Sequence, residues 1–254
     1  HTMKIKVLSL NIEHGGVLMD ALVPFLQSVD ADILLLQEIR SGKRHLPPTS
    51  RTLQYFSTLF DYPFVDFMPQ YRDFDETDDG SSYNGIAVLS RFPILSARHN
   101  YFDYPYTEDY RDSFEQAQYH PAALQVVELN IGGDTVWAAN VHGPWHLIGE
   151  AYTERRERMV QAIVAETAGK EKVIVAGDTN AKPHNPVFAE LNHLNSVFGD
   201  SLRTTFNMQR KTLAGYAEAA VDIMWVSPAV KVLAKDCPQV AVSDHLPLWA
   251  ELEV

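Results

Sequence analysis

The chain has one cysteine, Cys237, in 254 residues, which excludes an internal disulfide and every zinc module built on several thiolates. The fold must therefore be held by its core. Basic side chains are the minority: 21 Lys and Arg against 33 Asp and Glu give a formal charge of −12. The surface-wide positive field that tracks long nucleic acid is thus lacking, and a polyanion has to be met by a local patch or a metal. No apolar run approaches the ~18 residues of a membrane span, and Ile5 to Leu10 is too short for the apolar stretch of a secretory signal. Gly/Ser linkers, low-complexity tracts and internal repeats are absent as well. His1 and Thr2 ahead of Met3 read as a cloning scar, residues 4–254 as one domain and a monomer, and the cytoplasm as the expected location.

What is present is a globular composition, 46% hydrophobic and 21% charged, able to bury a sizeable core. Lys4 to Leu10 alternates in the manner of a strand and stops at Asn11. Met19 to Val29 has helical spacing despite Pro24. Ile33 to Leu36 reads as a strand buried on both faces, ending at Gln37-Glu38. A helix over Ser50 to Phe60 precedes strands near Val65, over Gly85 to Leu89 and over Leu95 to His99. Ala122 to Leu129 and Thr135 to Asn140 flank Gly132-Gly133 as a hairpin. A helix over Glu150 to Ala168 stops at Gly169, a buried strand runs from Val173 to Ala176, and late strands cover Val221 to Val226 and Leu246 to Glu253. A two-sheet core with outer helices fits this order. Two segments read as loops over one rim: Tyr71 to Ser82, which is acidic, and Tyr101 to Tyr119, rich in Tyr and Phe.

Several apolar strands end in a short polar side chain: Asn11, Glu38, His142, and Asp178 with Asn180. Strand ends sharing one sheet edge deliver their side chains to a common cleft on a rigid scaffold. Taken singly, Asn11 reads as a turn residue, Glu38 as a solvated charge, His142 as a satisfied core histidine and Asp178-Thr179-Asn180 as turn chemistry. Asp222 is harder to assign to the background, because a carboxylate in an apolar strand needs a partner. His245 is the candidate.

The joint pattern is more specific than its parts. SLNI at 9–12, LLQEI at 35–39, LSRFPI at 89–94, NVHG at 140–143, GDTN at 177–180, VDIMWVS at 221–227 and SDHLPL at 243–248 occur in this order. The chain thereby resembles the endonuclease/exonuclease/phosphatase (DNase I-like) superfamily from about residue 4 to residue 254. The resemblance implies an α/β fold, a four-layer α/β/β/α sandwich of two packed mixed sheets flanked by helices, and hydrolysis of phosphate esters with Mg²⁺ or Mn²⁺. It places Asn11, Glu38 and Asp244 at the metal, Asp178 and Asn180 at the attacking water and the phosphate, Asp222 with His245 in a dyad, and His142 as a further catalytic histidine. Arg158 and Gln161, at positions that are Arg and Gln in many members, read as structural. Gly143 departs from the leucine usual after the histidine, and Ala220 from an arginine often found before the strand aspartate.

Such chemistry depends on positioning and charge neutralisation. A hard cation needs only one or two protein carboxylates, which suits Glu38 without a Cys or His cage. Asp178 would take the water proton, Asn180 would hold a phosphate oxygen, and Asp222 would stabilise charged His245. Which histidine serves as the acid is open at this stage. Arg203, Arg210 and Lys211 fall in a late loop, where Arg203 and Arg210 would meet a phosphate. The expected substrate is a short or single-stranded nucleic-acid element or a small diester. A phospholipid or inositol phosphate is the alternative, and a binding module whose loops block the cleft is the reading from another class.

Overall fold

The structure is a computed structural model describing residues 2–74, 80–146, 153–211 and 218–254. Two six-stranded mixed sheets form its centre. The first runs β11-β12-β1-β2-β4-β3, from β1 (Lys4–Asn11), β2 (Ile33–Gly42), β3 (Phe64–Asp73), β4 (Ser82–Ser90), β11 (Lys231–Asp236) and β12 (Leu248–Glu253). The second runs β5-β6-β7-β8-β10-β9, from β5 (Ile94–Asn100), β6 (Ala123–Ile131), β7 (Asp134–His142), β8 (Val173–Asp178), β9 (Asn195–Ser196) and β10 (Asp222–Val226). In each sheet one pair is parallel, β1 with β2 and β7 with β8.

Alternation along the strands explains the layering. Val7, Ile33, Leu35, Ile174 and Ala176 point between the sheets into a shared core. Their neighbours Leu8, Leu34 and Leu36 face outward, where they are covered with Leu22, Leu26, Leu53 and Phe56 of α1 (Met19–Val29) and α2 (Thr52–Leu59). Val173 and Val175 are covered on the far side by Met159, Val160 and Ile163 of α3 (Glu154–Thr167). Strands buried on both faces read as continuous apolar runs, and the result is the expected four-layer α/β sandwich.

A polar link also crosses between the sheets. Buried Gln37 donates to Asn140 Oδ1 at 2.7 Å, while Asn140 donates to the carbonyls of Leu36 and Ala87, each at 3.1 Å. Such groups must be satisfied when buried, so they fix the position of β7 over β2.

Three expectations are corrected. β2 does not end at Gln37-Glu38; it runs on to Gly42, because Glu38 is an extra residue between Gln37, paired with Ile86, and Ile39, paired with Gly85. Tyr71 to Asp73 belong to β3 rather than to a loop, while residues 75–79 lie outside the described residues. β11 was not anticipated, since an edge strand with exposed Lys231, Lys235 and Asp236 carries no buried alternation. The start of the helix expected from Glu150 lies outside the described residues as far as 152.

Gly85 of β4 stands between two bulges. Beside it on β2 is Glu38, with φ 54°, in the left-handed region; beside it on β3 the register slips between Pro69 and Tyr71, leaving Gln70 unpaired. Bulges re-aim the extra side chain, and here both Glu38 and Gln70 face one cleft. A Cβ on Gly85 would lie 2.1 Å from the Met68 carbonyl oxygen. Gly85→Ala should therefore destabilise the protein by about 1–3 kcal/mol, the cost typical of overpacking, read as a lower urea midpoint at unchanged slope. An unchanged midpoint would show that β3 gives way freely.

Candidate active site

The polar strand ends do share an edge. Asn11, His142 and Asp178 close β1, β7 and β8, Asp222 opens antiparallel β10, and His245 precedes β12. In register, His142 pairs with Asp178 and Asp178 with Asp222. The cleft they bound has a volume of about 510 Å³, and the described residues leave it open.

Asp178 lies at its centre. Its Oδ2 accepts from Asn11 Nδ2 at 3.1 Å and lies 3.9 Å from His142 Nε2 and 3.7 Å from His245 Nε2, while Oδ1 accepts from the Asn180 backbone at 2.9 Å. Asn11 also donates to Glu38 Oε1 at 3.0 Å, and the His14 amide donates to Glu38 Oε2 at 2.9 Å. Burial opposes the charge on Glu38, yet His14, His142 and these hydrogen bonds hold its carboxyl well below the usual range.

Asn180 also adopts a left-handed conformation, φ 54°, and donates to the Gly143 carbonyl at 2.9 Å. Gly143 has a local reason: a Cβ there would lie 2.4 Å from the Thr179 carbonyl oxygen. Buried Arg156 supports the same turn by donating to the Asn180 carbonyl at 2.7 Å. Arg158, the arginine noted in the sequence, is instead half-exposed and 3.8 Å from Glu154.

His245 Nδ1 is 2.8 Å from Asp222 Oδ2, and its ring packs edge-on against Phe206 with centroids 4.8 Å apart. Burial disfavours the charged ring, but Asp222 and then Asp178 outweigh burial and push its pKa up to about 10. Burial likewise pushes Asp222 up, against the pull of His245. The donor atoms of Asp178, Asp222 and His245 lie within 4.8 Å of one another. Asp244 is not one of these three; its Oδ1 lies 4.0 Å from His245 Nε2 and its Oδ2 2.8 Å from Lys211 Nζ.

Four cations around the site, Arg155, Arg203, Arg210 and Lys211, are each matched to an acid. Arg203 pairs with Glu218, and Arg210 pairs with Glu13 at 2.5 Å. Neither lines the cleft, whereas Lys211 does. Arg155 pairs with Asp103 at 2.6 Å and donates to the carbonyls of Gln118, Trp145 and His120, tying the aromatic segment down over the rim. That segment contributes Asp112 and Phe114 to the cleft, with Phe114 against Trp145 at 6.1 Å between centroids. Gln70, His120, Asp112, Trp145 and Arg156 were not singled out from the sequence. The only signal was the general one of the Tyr-rich stretch, within which Asp112 lies.

The model of the Endonuclease/Exonuclease/phosphatase family matches residues 8–245. No curated protein sequence matches the chain. Among solved structures, the human Nocturnin catalytic domain with bound sulfate is similar at TM-score 0.69 and 20% identity, covering 98% of this chain and 94% of that one. The D. rerio TDP2 complex with a single-strand DNA product gives 0.72 and 15%, covering 99% of each. The Bacteroides thetaiotaomicron mannosyl-6-phosphatase Bt3783 gives 0.67 and 16%, covering 98% of this chain and 99% of that one.

The raised His245 pKa has a stability consequence of definite sign. The folded state holds a proton that the unfolded histidine releases near 6.5, so this contribution is fully present below pH 6.5, declines above it and is lost as pH passes about 10. Urea unfolding of chelator-treated protein should show stability falling between pH 7 and 10, and His245→Asn should flatten that fall. A wild-type profile with no more slope than the variant would contradict it.

Proposed function

The chain belongs to the Endonuclease/Exonuclease/phosphatase family, and from that premise we propose that it is a divalent-metal-dependent phosphodiesterase acting on a small diester or on a short or terminal single-stranded nucleic-acid element. The general class, hydrolysis of phosphate esters, follows from family membership. The diester reading is carried by one observation: Lys211, Arg155, Arg203 and Arg210 are each already neutralised by Asp244, Asp103, Glu218 and Glu13. A dianionic monoester entering beside Glu38, Asp112 and Asp178 meets more repulsion than a monoanionic diester does. Phe114 at the mouth, 73% exposed, supplies a stacking face for a substituent of the ester, since stacking on an aromatic ring tolerates any flat group.

The donor set suits a hard cation. Glu38 offers carboxylate oxygen and Asn11 an amide oxygen, which accepts from the Glu13 amide at 3.0 Å, and buried Asp178 and Asp222 add two further carboxylates at the same edge. Glu38 and Asn11 would hold Mg²⁺ or Mn²⁺, which would neutralise the phosphate and its developing negative charge. Asp178 then takes a proton from the attacking water, and Asn180 holds a non-bridging oxygen. His245, charged and braced by Asp222, donates from Nε2 to the phosphate. His142 gives its Nε2 proton to the leaving oxygen.

The test is turnover of bis-p-nitrophenyl phosphate against p-nitrophenyl phosphate. The diester should be preferred in kcat/KM, chelator should abolish turnover, and Mg²⁺ or Mn²⁺ should restore it. Glu38→Gln should need more metal, and Asp178→Asn should lose about 10²-fold or more in kcat at unchanged fold. Preference for the monoester would overturn the diester assignment, and full activity of metal-free enzyme would overturn the metal.

A further inference from the structure

The two cleft histidines have unlike backing. His245 Nδ1 faces a carboxylate, Asp222; His142 Nδ1 faces an amide, Gln70 Oε1, at 2.9 Å. Gln70 is 1% exposed and reaches this position because it is the unpaired residue of the β3 bulge. Its other amide atom settles which way the group is turned. Nε2 donates to the Pro121 carbonyl at 2.7 Å, and a carbonyl can only accept. The oxygen therefore faces His142, and since an amide oxygen also only accepts, the proton in that contact belongs to His142 Nδ1.

We propose that Gln70 is a positioning residue that acts through His142, holding its neutral ring in the Nδ1–H tautomer so that Nε2 alone exchanges protons in the cleft. The surroundings agree with this. The titratable groups facing the ring are Asp178, Glu38 and His120. His120 lies 5.4 Å away between centroids, and burial pushes its pKa down to about 3, so it brings no charge. Its Nδ1 is buried with no hydrogen-bond partner among the described residues.

This rests on the phosphodiesterase reading for its role in the reaction, where the protons balance. Water forms the new P–O bond and passes one proton to Asp178; the second stays with the product. As the leaving P–O bond breaks, its oxygen takes the Nε2 proton of charged His142, which is left neutral with Nδ1–H. The proton on Asp178 then returns to Nε2, which faces it at 3.9 Å. A ring free to carry its neutral proton on Nε2 would have no lone pair there to receive it.

The experiment is ¹⁵N–¹H spectroscopy of histidine-labelled protein at a pH where the ring is neutral, with the His142 signal identified by its loss in His142→Gln. The wild type should show the proton on Nδ1. Gln70→Met should shift the signal toward the Nε2–H form and lower kcat about 10-fold with KM within about 2-fold, as expected for lost orientation rather than lost binding. Gln70→Glu keeps the acceptor and should keep the Nδ1–H form, so it serves if Gln70→Met does not fold. A wild-type proton on Nε2, or a Gln70→Met protein unchanged in both tautomer and kcat, would overturn the proposal. Loss of the phosphodiesterase reading is told apart from this: no diester would turn over with any metal, while the spectrum would still decide the tautomer.

Discussion

Asp178 is a carboxylate buried where the two sheets meet, and the site is organised by the need to satisfy it. An ionised group out of water must be hydrogen-bonded or matched by charge. Its partners come from both sheets: the Asn11 amide from β1, the Asn180 backbone from the turn after β8, and the rings of His142 and His245 close by. Asn11 in turn joins Asp178 to Glu38. A cleft that needs side chains from six strands or turns at sub-ångström precision is served by a rigid two-sheet core better than by loops.

The strands alone would not deliver all of these groups. Period-two alternation sends successive side chains to opposite faces, so a regular β2 and β3 would bury Glu38 and Gln70 in a sheet face or bring their neighbours into the cleft. The two bulges flanking Gly85 insert one residue each and turn both toward the cavity. Gly85 allows this by letting the β3 backbone approach to a distance that no side chain would permit. The left-handed φ of Glu38 and Asn180 belongs to the same pattern, since strained backbone persists only where the surroundings determine it.

Charge is distributed in a way that bears on selectivity. The excess acid leaves arginines near the cleft matched to carboxylates of their own, and the histidines divide into one backed by Asp222 and one backed by Gln70. A carboxylate partner stabilises a charged imidazole, whereas an amide partner sets orientation without adding charge. One histidine thus has a partner that favours its charge and the other a partner that fixes its orientation.

The sequence by itself determined the layered architecture and the identity of the polar residues that close its strands, because both are local. Apolar runs such as Ile33 to Leu36 and Val173 to Ala176 are readable as strands buried on both faces, and polar residues closing several such runs mark a shared edge. GDTN and SDHLPL carried Asp178, Asn180 and His245 in the same way, and the apolar surroundings of Asp222 called for a partner that His245 supplies. What only the tertiary structure decided depends on residues distant in the chain. Gln70 gains meaning from Pro121 and His142, Arg156 from the Asn180 carbonyl, and Arg203 and Arg210 are bound to acids that no spacing rule connects to them. The bulge at Glu38 was likewise invisible, since an inserted residue leaves the apolar pattern before it intact and shows only in the partner strand's register. Hydrogen-bond direction, bulge placement and ion pairing are properties of pairs, and a single chain read in order shows only one member at a time.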